Sequence, residues 1–344
     1  MRLLYVTDTH IRGTSPRSRL DDFPRTLLGK LREVVALARQ SGVSAILHGG
    51  DLFDRPDVAP AVAREFLGVL RESPCPIYGI AGNHDMFGFN PETVNRAMLG
   101  LFDGFGLFRL LRPGDCAWIE AGGLRVQVTG QEFHSEIDRR DPVLDYCVLP
   151  ADSGGSKHLR RPGAHFAIHL THGMLLDRPF MAGVAHTVLG GILDRTEADI
   201  TFGGHYHPGW SRVITAQGHW FVNPGSLARL GNQAADYERP VQVALVELAA
   251  GRDVRVELVP LSTAKPGVEV LDRSQAVVQW ERERALADFI QGIGDMSQFE
   301  VLAVQAIMER VAATGGVSDQ VRVEALRRLG KAQESLGTEE DEQP

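Results

Sequence analysis

The sequence has few of the features that mark secreted or membrane-bound proteins. Only three cysteines occur in 344 residues, and Cys75, Cys116 and Cys147 lie too far apart for a zinc knuckle or a disulfide framework. No apolar run reaches the ~18 residues of a membrane-spanning helix. Residues 1–10 lead directly into a strand-like pattern and lack the apolar core of a signal peptide. We therefore expect a cytoplasmic protein that has no membrane partner.

Lysine is also scarce, and acidic residues outnumber basic ones. The formal net charge is −8, and lysine occurs only at Lys30, Lys157, Lys265 and Lys331. This composition argues against a protein that wraps duplex nucleic acid with its whole surface. It does not exclude a nuclease, because metal ions bring positive charge into an active site and a local basic patch can suffice.

Alternating strand and helix patterns fill the first part of the chain. Short apolar runs predict buried strands at 2–7, 43–48 and 76–81, and helical periodicity predicts helices at 21–40 and 58–71. This order is typical of a mainly parallel sheet with crossover helices.

From about residue 106 the pattern changes to short strands separated by turns. The predicted strands lie at 116–120, 124–129, 165–170, 199–203, 211–215, 219–223, 241–248 and 253–259. These strands indicate a second sheet packed on the first, within an α/β fold. The polar, glycine-rich stretch 151–163 predicts an exposed loop.

The strand pattern stops after Pro260. We place a domain boundary near residue 265, between a large catalytic domain at 1–264 and a helical C-terminal segment at 265–336. Helices are predicted at 274–292, 297–314 and 318–336, and residues 337–344 form an acidic tail that we expect to be disordered. The C-terminal segment is a candidate partner-binding or capping region.

Five short motifs, each at the end of a predicted strand, contain metal-binding residue types. They are Asp8-Thr9-His10, Gly50-Asp51, Gly82-Asn83-His84-Asp85, His172-Gly173 and Gly204-His205-Tyr206-His207. In open α/β sheets, ligand sites gather outside the carboxyl ends of the strands, so all five motifs can converge. Carboxylate, amide oxygen and imidazole suit Mn²⁺, Fe, Zn²⁺ or Mg²⁺.

The spacing of the motifs suggests how the site divides its roles. Asp8 and His10 stand two residues apart, so on an extended segment both side chains would reach one ion. Two ions about 3.5–4 Å apart can clamp an in-line displacement at phosphorus. Asp51, midway in the motif order, is the natural bridging ligand, and His84 is the candidate acid for the leaving oxygen.

This ordered set resembles the signature of the calcineurin-like metallophosphoesterase superfamily over about residues 1–260. The resemblance implies a four-layer αββα fold, in which helices flank two packed sheets. It also implies a catalytic role for His84 and two metal sites that share one aspartate. The first site would contain Asp8, His10, Asp51 and His207, and the second would contain Asp51, Asn83, His172 and His205.

Within the superfamily, the sequence is most similar to the SbcD-type DNA repair nucleases. The similarity rests on Asp8-Thr9-His10, on residues 49–53 (GGDLF) and on residues 82–85 (GNHD). It implies Mn²⁺-dependent exo- or endonuclease activity on DNA and an SMC-like ATPase partner of the SbcC type. Asp54 stands where many nucleases of this branch carry a histidine. The sequence leaves a homodimer open.

Two other functions fit parts of the pattern. One is a small-molecule phosphodiesterase or phosphatase that acts on cyclic nucleotides, nucleotide conjugates or phosphoproteins. The other is a non-catalytic scaffold, which would require a missing ligand, and none is missing. Nearby candidates for substrate contact are Arg12, Arg17, Arg19 and His134, while His48 is either a support for the site or a buried strand histidine.

Overall fold

The computed structural model describes residues 1–181, 184–210, 212–231, 234–272 and 274. These residues belong to one compact unit, Met1–Val277. Apart from residue 274, the predicted C-terminal helices and the acidic tail lie outside the described residues. No described helix combines the length and apolarity needed to cross a bilayer. All three cysteines are free thiols.

Strands and helices follow the predicted order, and several short elements that were not predicted are added. The strands are β1 (Arg2–Val6), β2 (Ala45–His48), β3 (Ile77–Gly79), β4 (Arg109–Leu110), β5 (Ala117–Ala121), β6 (Leu124–Gln131), β7 (Phe166–Gly173), β8 (Leu175–Leu176), β9 (Thr187–Val188), β10 (Ile200–His205), β11 (Ile214–Ala216), β12 (His219–Val222), β13 (Gln242–Ala249) and β14 (Asp253–Pro260). The helices are α1 (Phe23–Gln40), α2 (Pro60–Leu70), α3 (Met98–Gly104), α4 (Val143–Tyr146), α5 (Ala234–Glu238) and α6 (Gly267–Val270). Single 3₁₀ segments occupy Asn83–Asp85, Phe87–Phe89, Pro91–Arg96 and Leu189–Gly191.

Two six-stranded sheets form the centre of the fold. Their strand orders are β14-β13-β1-β2-β3-β4 and β11-β12-β10-β7-β6-β5. Strands β1 to β4 are parallel in the first sheet, and β6, β7, β10 and β12 are parallel in the second. The predicted two-sheet α/β fold is therefore confirmed.

The assignment of the last two strands to the second sheet was wrong. β13 and β14 extend the first sheet, and β13 pairs antiparallel with β1 from Arg2↔Glu247 to Tyr5↔Ala244. Without β13, β1 would present unpaired backbone groups at a sheet edge. The local sequence pattern does not reveal a pairing between strands that are so far apart in the sequence.

The alternating side chains of β1 serve two apolar cores. Leu4 and Val6 pack beneath α1 and α2, whereas Leu3 and Tyr5 face the second sheet. Asp22 caps α1 by accepting a hydrogen bond from the Arg25 N–H, and the buried face of this helix covers the first sheet. A third core, beneath α4 and the Leu189–Gly191 segment, covers the outer face of the second sheet. These layers give the four-layer αββα arrangement.

Tyr5 ties the two sheets together close to the strand ends. Its ring stacks on Phe202 with the centroids 4.2 Å apart, and its hydroxyl donates a buried hydrogen bond of 2.9 Å to the Gly203 carbonyl. Gly203 lies on β10, two residues before His205. The contact therefore helps to set the distance between the strand ends of the two sheets.

We expect Tyr5→Phe to lower the free energy of unfolding by about 1–3 kcal/mol, because the Gly203 carbonyl would remain buried without its donor. Urea unfolding measures the change. Tyr206→Phe is the matched control, since the half-buried Tyr206 hydroxyl has no hydrogen-bond partner within the described residues. Equal losses in the two variants would contradict the role of the Tyr5 hydroxyl.

Candidate metal centre

The five motifs converge at the carboxyl ends of strands from both sheets. The loops after β1, β2 and β3 carry the motif residues of the first sheet, and the ends of β7 and β10 carry those of the second. Together they bring eight side chains into one site: Asp8, His10, Asp51, Asn83, His84, His172, His205 and His207.

Four of these residues adopt a left-handed backbone conformation. The φ angles are 51° at Asp8, 46° at His10, 53° at Asp51 and 71° at His205. Such angles cost about 1–3 kcal/mol each in residues other than glycine and persist only where the surroundings enforce them. The expectation of an extended segment at Asp8 and His10 was therefore wrong, although both side chains do reach the same cluster.

The first cluster joins one ligand atom each from Asp8, His10, Asp51 and His207, all within 4.8 Å of one another. The Nε2 atoms of His10 and His207 are 3.0 Å apart. His207 Nε2 lies 3.5 Å from Asp8 Oδ1, and His10 Nε2 lies 3.5 Å from Asp51 Oδ2. Two imidazole nitrogens and two carboxylates that converge in this way form a donor set for a borderline divalent cation.

The second cluster joins Asp51, His172 and His205, with Asn83 beside them. His172 Nε2 lies 3.3 Å from Asp51 Oδ2 and 3.2 Å from Asn83 Oδ1. His205 Nδ1 lies 2.9 Å from the same amide oxygen. Because His172 Nδ1 donates to the Gly49 carbonyl at 2.8 Å, Nε2 is the ring nitrogen that faces the cluster, as in a metal-ligating histidine.

Asp51 belongs to both clusters. Its Oδ1 accepts the backbone N–H of His84 at 2.8 Å, whereas the buried Oδ2 has no hydrogen-bond partner among the described residues. An unpaired buried carboxylate oxygen is costly unless a cation offsets its charge. The residues present therefore fit two divalent ions, and Asp51 would be available to both.

Charge coupling keeps Asp51 ionised. Burial by itself raises the pKa of Asp51, but the positive charge of the nearby His172 outweighs this effect and holds the pKa well below its usual range. Burial likewise opposes a charge on His172, yet Asp51 raises the pKa of that imidazole to about 9. An ionised Asp51 can act as a bridging ligand across the neutral pH range.

His48 is a buried residue that contacts the loops carrying the first two motifs. Burial lowers its pKa to about 4, so it is neutral. Its Nδ1 accepts the Gly50 N–H at 3.2 Å, and its Nε2 lies 3.3 Å from Thr9 Oγ1. Of the two alternatives for His48, the contacts favour a residue that positions the loops after β1 and β2.

Asp54 links three side chains at the rim of the first cluster. Its carbonyl accepts from His84 Nδ1 at 2.9 Å, which leaves His84 Nε2 free on a half-buried ring. Its carboxylate lies 3.4 Å from His10 Nδ1 and 3.0 Å from Arg12 Nη1. Arg12 therefore reaches the site. Arg19 does not serve as a phosphate contact, because it is buried in a two-point ion pair with Asp21.

Phe133 borders the site but was not among the candidates predicted from the sequence. Its ring centroid lies 5.6 Å from that of His205 and 6.4 Å from that of His172. Phe133 follows the carboxyl end of β6, a parallel strand beside β7, so the strand-end rule that found the motifs applies to it as well. His134, the next residue, lines a separate cavity and pairs with Asp145 at 3.0 Å.

Gly82 gives a direct test of how the site is held. A Cβ at this position would lie 2.1 Å from Asp51 Oδ1 and 2.4 Å from the Asp51 nitrogen. We expect Gly82→Ala to weaken Mn²⁺ binding about tenfold or more, since displaced neighbours of ligands typically cost that much. Titration calorimetry measures the affinity.

Gly68→Ala is the matched control for Gly82→Ala. A Cβ on Gly68 would meet nothing within 4 Å, and the residue lies on the exposed face of α2. We expect this variant to bind Mn²⁺ normally and to unfold at slightly higher denaturant concentration. Normal Mn²⁺ affinity in Gly82→Ala would refute the close packing of Gly82 on Asp51.

Comparison with solved structures finds matches at low identity. A putative 5'-nucleotidase of Staphylococcus aureus shares 17% identity with a TM-score of 0.46, covering 82% of this chain and 58% of that chain. The sulfate thiohydrolase SoxB of Thermus thermophilus shares 15% with a TM-score of 0.45, covering 83% and 60%. A dimetal phosphatase of Danio rerio shares 14% with a TM-score of 0.44, covering 76% and 96%. Similarity at this level does not indicate a substrate.

Sequence comparison identifies the family. No curated protein sequence matches the chain. Residues 1–209 match the calcineurin-like phosphoesterases, and this segment contains every motif of the site. The chain therefore belongs to the calcineurin-like phosphoesterase family of metal-dependent hydrolases.

Proposed function

We propose that this chain is a two-metal phosphodiesterase that cleaves DNA, a nuclease of the SbcD type. The observation that carries the proposal is the position of Asp51 Oδ2. This atom is buried, lacks a hydrogen-bond donor among the described residues, and lies 3.5 Å from His10 Nε2 and 3.3 Å from His172 Nε2. One carboxylate oxygen shared by two clusters is the arrangement that a two-metal phosphoesterase requires.

In this proposal, seven side chains hold two Mn²⁺ ions. Asp8, His10, Asp51 and His207 hold the first ion, and Asp51, Asn83, His172 and His205 hold the second. When bound, the ions would supply an activated water at neutral pH and would stabilise the charge on the phosphoryl oxygens. Mn²⁺ suits the mixed oxygen and nitrogen donors, as do Fe, Zn²⁺ and Mg²⁺. The resemblance to SbcD-type nucleases favours Mn²⁺ among these metals.

His84 is the proposed general acid. Its Nδ1 donates to the Asp54 carbonyl at 2.9 Å, so the ring presents Nε2 as the atom that can give a proton to the leaving oxygen. The backbone N–H of the same residue holds Asp51 at 2.8 Å. The proposed acid and the shared carboxylate are therefore held directly next to each other. Arg12, held by Asp54, can contact a neighbouring phosphate.

The choice of DNA rests on the resemblance of residues 49–53 and 82–85 to the SbcD-type nucleases. The same resemblance favours an SbcC-type ATPase as partner. A specific observation supports a second candidate, a phosphodiesterase for small nucleotides. A cavity of about 310 Å³, lined by Glu132 and His134, borders the segment that carries Phe133.

A substrate panel with Mn²⁺ separates the candidates. We expect hydrolysis of bis-p-nitrophenyl phosphate and of linear DNA, with p-nitrophenyl phosphate cleaved more slowly. If the diester is hydrolysed while linear and single-stranded DNA stay intact, the nuclease proposal fails and the small-nucleotide enzyme remains. Cleavage of the monoester alone would overturn both.

His84→Ala tests the acid. We expect the rate of DNA cleavage to fall about 10²- to 10⁴-fold with Mn²⁺ still bound, because the leaving alkoxide needs a proton. The loss should be much smaller with bis-p-nitrophenyl phosphate, since p-nitrophenolate leaves without one. His165→Ala, at an exposed histidine just before the amino end of β7, whereas His172 lies near the carboxyl end, should leave both rates unchanged. Equal losses on the two substrates would mean that His84 only positions Asp51.

A further inference from the structure

A cavity flanks the chain segment that carries Phe133, a neighbour of the metal centre. The cavity of about 310 Å³ falls at the lower end of the range of ligand pockets, which is about 300–1,000 Å³. Pro91, Pro113 and Leu144 form apolar walls. Glu132 lines the cavity and directly precedes Phe133, whose ring contacts His205 of the second cluster. The cavity and the metal centre therefore flank the same segment of chain.

Most polar groups of this cavity are already engaged. Arg140 donates to both carboxylate oxygens of Asp145, and His134 Nε2 lies 3.0 Å from the same carboxylate. The Gln131 amide donates to the Glu132 carbonyl at 2.9 Å and accepts from His158 at 3.0 Å. These groups shape the wall, and their hydrogen bonds leave them little capacity to bind a ligand.

Glu132 is different. The residue is only 6% exposed, and its buried Oε2 has no hydrogen-bond partner among the described residues. Burial raises the pKa of Glu132 to about 7, against the opposing charges of Arg112, His134 and Lys157. A buried carboxylate without a donor is costly, and a ligand that brings N–H groups would remove that cost.

We propose that this cavity binds a guanine base, the base of the nucleotide next to the scissile phosphate. The inference rests on the proposed phosphodiesterase function and names a base preference for the same site. Guanine is the one DNA base with two adjacent donors, N1–H and N2–H, on its pairing edge, and a carboxylate accepts both. Its O6, beside them, accepts from a cation, and Lys157 lines the same cavity.

The other bases match this lining less well. Adenine and cytosine each offer one amino group next to a ring acceptor, which would face the Glu132 carboxylate. Thymine places its single N–H between two carbonyl oxygens, which the carboxylate would repel. The apolar walls at Pro91, Pro113 and Leu144 can cover the faces of a base that has left the stack.

The test uses the full chain with Mn²⁺ and three substrates. These are the p-nitrophenyl esters of deoxyguanosine 5'-monophosphate and thymidine 5'-monophosphate, and the base-free bis-p-nitrophenyl phosphate. We expect kcat/KM for the guanine ester to exceed that for the thymine ester about tenfold, as for a two-point contact to a base edge. Glu132→Gln should bring this ratio close to one. Glu136→Gln, at an exposed glutamate nearby that does not line the cavity, should keep it.

The outcomes separate the two proposals. Hydrolysis of bis-p-nitrophenyl phosphate with a guanine-to-thymine ratio near one in the wild type overturns the guanine site and leaves the phosphodiesterase standing. A preserved ratio in a folded Glu132→Gln variant also overturns it. If no diester is hydrolysed, the proposed function fails. In that case, calorimetric titration of the wild type with deoxyguanosine and thymidine tests the guanine site independently of hydrolysis. Equal affinities for the two nucleosides would refute the guanine site. If Glu132→Gln does not fold, the wild-type ratio is decisive.

Discussion

The buried carboxylate of Asp51 is the point on which the rest of the site depends. Gly82 packs so closely against it that no side chain fits there, and the His84 N–H fixes one of its oxygens. Asp85 ties the supporting loops together by accepting backbone N–H groups from the loops after β2 and β3, at 2.9–3.2 Å. These contacts hold an oxygen without a donor between His10 and His172, and the charge of His172 keeps it ionised.

The sandwich of two sheets is what brings the ligands together. The ends of β1, β2 and β3 supply one half of the site, and the ends of β7 and β10 supply the other. The distance between these halves is set by the apolar layer between the sheets and by the bond from Tyr5 to Gly203. Four ligand candidates have a left-handed backbone conformation, which turns their side chains toward the site. This conformation is energetically costly, and the surrounding hydrogen bonds hold it in place.

The sequence was sufficient to predict the two sheets, the order of the main strands and the convergence of the motifs. Parallel strands place their carboxyl ends at one edge, and that rule needs only local patterns. The pairing of β13 with β1 joins segments that are far apart in the sequence, and local periodicity does not encode it. Arg19 is buried where its guanidinium donates to the distant Arg229 carbonyl, which the local pattern does not reveal either. The unpaired oxygen of Glu132 is also a result of packing that the sequence does not reveal. From sequence alone, a glutamate that follows a strand is expected at the surface.

The proposed function depends on Asp51 as a ligand shared by two ions. Anomalous diffraction from crystals of the full chain grown with Mn²⁺ would show directly whether Asp51 has this role. We expect two peaks about 3.5–4 Å apart, with Asp51 Oδ2 between them. The first peak should be surrounded by Asp8, His10 and His207, and the second by Asn83, His172 and His205. A single peak, or two peaks that share no ligand atom, would contradict this role of Asp51.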